Sequence, residues 1–181
     1  PFQPATIAPV SSQVVATPTL DSFAQYTISA MKERSYGGGE IEILEVLEEN
    51  SVFTRYKIRY PSDGLAIYGF MNVPKGDGVF PVIVAIHGYS DPNNYPLLSY
   101  TADTVDSLTR QGYLVIHSNM RDYGESDDGD DVYRAGLAVD ILNLIALVKT
   151  QGAQSGILEK ADSDKIGIWA HSMGGEIALR V

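Results

Sequence analysis

The sequence contains no cysteine. That absence removes disulfides, thiolate metal sites and a cysteine nucleophile together, and leaves oxygen or nitrogen to act as any nucleophile. Positive charge is scarce: 13 Lys and Arg stand against 23 Asp and Glu, a formal net charge of −10. A field of that sign repels phosphate backbones and anionic lipid, so nucleic acid is not expected as a partner. Long apolar runs are missing too. The longest, residues 137–148, is interrupted by Asp140 and Asn143, and it falls short of the ~20 residues a helix needs to span a bilayer. No Gly-x-Gly-x-x-Gly or Walker pattern follows any apolar run, which disfavours nucleotide binding.

What is present suits one domain of ordinary size, or a piece of a larger one: 181 residues, 44% hydrophobic, a content typical of chains that bury a core. No internal repeat divides them. Residues 1–20 are an uncharged run rich in Pro, Thr, Ser and Val and read as an extended tail of the kind left when a signal peptide or anchor is removed. A secreted or cell-envelope location is the expectation from this tail, with a chain trimmed at its start, and hence a cytoplasmic location, as the alternative.

Residues 21–181 read as one domain. Ser22 and Gln25 have capping-box spacing, and Phe23, Thr27, Ala30 and Met31 share a helical face, which predicts a helix over 22–34. Alternating runs at 41–48 and 52–60, joined around Asn50, predict a hairpin, and a third strand is expected at 65–73 after the turn Pro61-Ser62-Asp63-Gly64. From Pro81 the pattern changes. Val82-Ile83-Val84-Ala85-Ile86, Leu114-Val115-Ile116-His117 and Ile166-Gly167-Ile168-Trp169-Ala170 are continuous strand-like runs, as in strands covered on both faces. Helices expected at 100–111 and 132–150 separate them, and this alternation predicts a parallel sheet with helices on both faces and chemistry at the carboxyl ends of its strands.

The third of these strands ends in Ala170-His171-Ser172-Met173-Gly174-Gly175 and runs straight into a helical pattern. A sharp strand-to-helix turn of this kind exposes the serine oxygen, with small residues two before and two after it letting backbones approach. Ala170 and Gly174 fill those places, Ala170 where glycine is usual. Ser172 is therefore the candidate nucleophile. The N-terminus of the following helix would favour negative charge at the reacting centre. The first parallel strand ends in His87-Gly88-Tyr89, where a second oxyanion-hole N–H is required. Tyr89 and Met173 are the candidate oxyanion-hole donors, both through backbone N–H groups, and His87 is expected to brace the loop rather than to move protons.

The second strand ends in Arg121-Asp122-Tyr123-Gly124-Glu125-Ser126. Together with the His-Gly-Tyr loop and the His-Ser-Met-Gly-Gly turn, in this order, it resembles the α/β-hydrolase superfamily, and within it the prolyl-oligopeptidase-like and dienelactone-hydrolase-like branch, over residues 62–181. The resemblance implies an α/β-hydrolase fold in which antiparallel N-terminal strands lead into a parallel sheet flanked by helices. It also implies a serine hydrolase working without a cofactor. Asp122 replaces the usual glycine at a position that tolerates left-handed angles. Arg121 is expected to be structural, tying its loop near the turn. Residues 127–131, four aspartates and a glycine, read as a solvated lead-in to a helix rather than as a metal site.

In that superfamily the triad acid and histidine follow the nucleophile. The three histidines here are His87, His117 and His171; none lies beyond Ser172, and the turn is expected to direct His171 away from it. The triad Asp and His, and the C-terminal strands, are thus expected from a C-terminal companion segment outside these residues, so that this chain alone would be inactive. The resemblance favours a carboxylesterase for small or carbohydrate-linked acyl esters. The ~80 residues before His87 cannot hold the propeller of a prolyl-oligopeptidase-type peptidase, whose blade repeats need ~40 or more residues each. That peptidase and a non-catalytic fragment serving as an interaction module are the alternatives.

Overall fold

The computed structural model describes residues 20–181. The described residues belong to two compact units, one ending at Arg34 and the other formed by Ser35–Val181. The tail expected at 1–20 lies outside the described residues, apart from Leu20. In the first unit the single helix expected over 22–34 is replaced by a 3-10 turn, Leu20–Tyr26, and a short helix α1, Ile28–Glu33. Thr27 causes the break: in extended backbone (ψ 151°), its hydroxyl donates to the Ala24 carbonyl and accepts the Ala30 N–H. It closes one turn and caps the next.

The second unit is a six-stranded sheet made of β1 Glu42–Glu49, β2 Phe53–Ser62, β3 Leu65–Pro74, β4 Phe80–Ile86, β5 Leu114–Ser118 and β6 Ala161–Ala170. They lie in the order β1-β2-β3-β5-β4-β6. The first three run antiparallel, β3 pairs antiparallel with β5, and β5, β4 and β6 are mutually parallel. The expected four-residue turn before β3 narrows to Asp63-Gly64, because Pro61 and Ser62 continue β2 opposite Ala66 and Leu65. Both turn residues have positive φ, 54° and 84°, as a tight hairpin that matches strand twist requires.

Helix α2, Ala102–Arg110, and helix α3, Ala135–Gln151, are the crossovers, and α4, Met173–Ala178, follows β6. The period of two along the strands sorts the core. Val82, Val84, Ile86, Leu114 and Ile116 pack with Leu137, Ile141, Leu144 and Val148 of α3. Ala85, Val115 and Phe70 pack on the other face with Val105 of α2. The helix expected from residue 132 begins as a α-helix only at Ala135, because Tyr133 and Arg134 are left-handed (φ 53° and 60°). No helix among the described residues is long and apolar enough to cross a membrane.

From β4 the chain steps to β5 on one side and later to β6 on the other. The carboxyl ends of β4 and β6 therefore border the point where the winding reverses, the place where such sheets open a crevice. The loop of His87-Gly88-Tyr89 and the turn of Ser172 both lie there.

Candidate active site

Ser172 sits between β6 and α4 with φ 52° and ψ −115°, a backbone conformation that a residue bearing a Cβ enters only at a cost of order 1–3 kcal/mol. The surroundings hold it there. His171 N–H bonds to the Ile86 carbonyl at 3.2 Å, continuing the pairing of β6 with β4 past the strand end, and Gly174 N–H and Gly175 N–H close back onto the His171 and Ser172 carbonyls at 2.8 and 2.9 Å. Gly174 rests on the end of β4: a Cβ there would lie 2.5 Å from the Ile86 oxygen and 2.7 Å from the His87 oxygen. Gly175, by contrast, faces open space. Only the first of the paired glycines is required by packing.

The loop after β4 comes against this turn. A Cβ on Gly88 would meet Ser172 Cβ at 3.1 Å, and His171 Nδ1 and the Tyr100 hydroxyl at 2.9 Å each. Gly88 N–H donates to the Tyr100 hydroxyl at 2.7 Å, and that hydroxyl lies 2.9 Å from His171 Nδ1. Neither Tyr89 N–H nor Met173 N–H has an acceptor among the described residues. Tyr89 is 71% exposed. Met173 is buried, with its sulfur 3.7 Å from the Tyr123 hydroxyl.

The three histidines differ in environment. His87 is buried with Nδ1 2.7 Å from the Gly88 oxygen and Nε2 2.8 Å from the Asn119 oxygen. It therefore braces the loop against the end of β5, stacked on Tyr95 and edge-on to Tyr123. Burial holds its pKa below the ordinary histidine value, against the pull of the two carbonyls. His117 is fully buried and stacked on Phe70, and burial, assisted by His87, lowers it to about 3. His171 is exposed and bonded to Tyr100. None of the three is hydrogen-bonded to Ser172 among the described residues.

The loop after β5 is built on a buried ion pair. Arg121 places Nη2 2.8 Å from Asp140 Oδ1, its backbone N–H 2.8 Å from Asp140 Oδ2, and Nη1 2.7 Å from the Asp130 carbonyl. Ser62 hydroxyl donates to Asp140 at 2.6 Å, and Asn143 donates to Ser62 at 2.9 Å. Arg121 thus ties its loop to α3. Asp140 and Asn143, which interrupt the apolar run of that helix, are its inward-facing polar anchors, and Asp140 is the partner the sequence reading did not find. Burial pushes the Asp140 carboxyl up while Arg121 and Ser62 pull it down.

Asp122 has φ 68° and uses its carboxylate to accept Gly129 N–H at 2.9 Å. In the acidic stretch that follows, Asp127 accepts the N–H of Ala66 in β3 at 2.8 Å and Asp131 accepts Leu137 N–H near the start of α3 at 3.3 Å. Among the described residues no group of three His, Asp or Glu side chains could hold a metal ion.

No protein-family model matches the chain, and no curated protein matches its sequence. Solved structures do match. Acetyl xylan esterase 1 from Thermoanaerobacterium sp. JW/SL YS485 superposes with a TM-score of 0.60 at 18% identity, over 88% of this chain and 52% of that one. The Pyrococcus furiosus esterase Pf2001 gives 0.54 at 19% identity, over 79% and 51%. Brefeldin A esterase, a bacterial homologue of human hormone sensitive lipase, gives 0.55 at 19% identity, over 76% and 37%. The chain spans about half the length of the first two or less of the third. With its antiparallel entry, its parallel strands and its strained serine between β6 and α4, the chain has the α/β-hydrolase fold.

Proposed function

We propose that this chain is the nucleophile-bearing part of a serine hydrolase that cleaves carboxylic esters, with Ser172 as nucleophile. The observation that carries the reading is the Ser172 backbone, φ 52° and ψ −115° at the switch point of the sheet, strain that persists where the surrounding structure over-determines it for a purpose. In the proposed reaction Ser172 Oγ attacks the ester carbonyl and forms the carbon–oxygen bond of an acyl-enzyme as the alcohol leaves. Tyr89 N–H and Met173 N–H receive the developing oxyanion, and water then releases the acid.

The general base and its acid partner are assigned to a C-terminal companion segment, which would also pair with the second edge of β6. Support comes from that edge. β6 pairs with β4 on one side and with no strand on the other among the described residues, and Ile168 is 39% exposed there. An apolar parallel strand left open in this way is a hazard that native sheets cover. Small or carbohydrate-linked acyl esters are the proposed substrates, a reading supported by the acetyl xylan esterase likeness. An exported location suits them and the composition of residues 1–20.

One observation favours a second reading, a non-catalytic interaction module: none of the three histidines engages Ser172 among the described residues. Fluorophosphonate labelling of the full protein, read by intact mass, separates the two. A single adduct at Ser172, lost in Ser172→Ala together with ester hydrolysis, is the expected result. An unlabelled serine, or hydrolysis retained in the variant at the original rate, would overturn the assignment.

A further inference from the structure

A hydroxyl oxygen can accept more than one hydrogen bond but has one proton to donate. Tyr100 Oη accepts Gly88 N–H at 2.7 Å, so its proton is free for the other neighbour, His171 Nδ1, at 2.9 Å. With the hydroxyl as donor, His171 Nδ1 accepts and the ring proton lies on Nε2; the reverse order would place that proton on Nδ1. The first order runs from Gly88 N–H to Tyr100 Oη and from Tyr100 O–H to His171 Nδ1, and the tautomer of His171 distinguishes it from the second. Tyr100 reaches this point from just before α2, and its ring meets that of His171 edge-on. One end of the chain of bonds is the residue before Tyr89, and the other is the residue before Ser172.

We propose that Tyr100 is a positioning residue that clamps the loop after β4 to the Ser172 turn, so that the Tyr89 N–H and the Ser172 oxygen are held in one fixed relation. This rests on the reading of Ser172 as nucleophile and Tyr89 as oxyanion donor. Gly88 fits the clamp because any side chain there would intrude on all three groups it joins, His171, Tyr100 and Ser172. The clamp touches neither the reacting carbonyl nor the transferred proton. Its effect is on geometry, where a displacement of about 1 Å can cost ~100-fold in rate.

The test uses the full protein and a p-nitrophenyl ester. Tyr100 is half-exposed, so Tyr100→Phe, which removes only the hydroxyl, leaves folding intact. Its kcat should fall by roughly 10-fold with KM nearly unchanged, since the donors stay present but loosened. His171→Ala should lose a similar amount, and His171→Asn, whose Oδ1 replaces Nδ1 as acceptor, should recover most of it. The double variant Tyr100→Phe/His171→Ala should fall no further than either single change, the signature of residues acting as a unit. Nitrogen-15 NMR of the His171 ring, which needs no turnover, should show the Nε2–H tautomer, lost on Tyr100→Phe. An Nδ1–H tautomer, an unchanged kcat, or additive losses would overturn the clamp. Hydrolysis retained in Ser172→Ala would instead overturn the nucleophile while leaving the tautomer result intact.

Discussion

The loops after β4 and β5 lie side by side at the carboxyl end of the sheet and are built on opposite principles. The β5 loop uses its polar groups on itself, on β3 and on α3: Arg121, Asp122, Asp127 and Asp131 all end on internal partners. The β4 loop is tied down at His87 and Gly88 and then leaves Tyr89 N–H without an acceptor among the described residues. A loop whose charged side chains are paired within the fold is suited to support. A loop that leaves a main-chain donor open at this point, while its neighbours are locked, can bind something else. The difference suits the first to scaffolding and the second to the oxyanion binding proposed for it.

Breaking the scaffold should have the largest effect. Arg121→Met leaves the Asp140 carboxylate buried without its ion pair, and removal of one partner of such a pair costs about 3–5 kcal/mol. Chemical denaturation should show that loss, and Arg121→Met combined with Asp140→Leu should recover much of it. If the single change costs no more than an exposed ion pair does, the Arg121–Asp140 pair does not anchor the β5 loop.

The β4 loop should respond in rate rather than in stability. Gly88→Ala pushes a methyl against His171, Tyr100 and Ser172; the first two are side-chain tips that can move, whereas Ser172 Cβ is fixed by its backbone. The expected outcome is a drop in kcat for ester hydrolysis of roughly 10- to 100-fold, with the denaturation midpoint close to that of the parent. A large stability loss with unaltered kcat would reverse the roles of the two loops.

The smallest effect at neutral pH is a change of pH slope beneath them. His117 is held at about 3 in the fold, whereas the unfolded chain binds its proton near the ordinary value of about 6.5. The unfolded state therefore carries the extra proton between those limits, and the stabilising contribution present above pH ~6.5 is lost as pH falls toward about 3. His117 Nδ1 is buried without a partner, so His117→Leu removes the titration and an unsatisfied atom together. Stability near pH 8 should change little, and the decline between pH 6.5 and 4 should become shallower. A slope identical to that of the parent would place the acid sensitivity elsewhere.

The strands, the two crossover helices and the serine turn were legible because their signals are local. Runs such as residues 82–86 and the small residues around Ser172 constrain backbone within a few positions of themselves. The first helix was misread because Thr27 competes with Ser22 as a cap, and which hydroxyl wins is decided by the path of the backbone rather than by spacing. Asp140 looked like an interruption of an apolar run and proved to be its anchor. Its partner is 19 residues away, and the Ser62 that completes the network is 78 away.

The sequence by itself determined the order of the elements, the absence of thiol chemistry, and the serine that the chain strains at the end of β6, since each depends on residue type and short-range geometry. Only the tertiary structure decided that Arg121 reaches α3, that Gly174 rather than Gly175 must be glycine, and that Tyr100 joins Gly88 to His171. Those are contacts between segments that the winding of the sheet brings together, and a hydrogen bond across 71 residues leaves no periodicity in the chain that makes it.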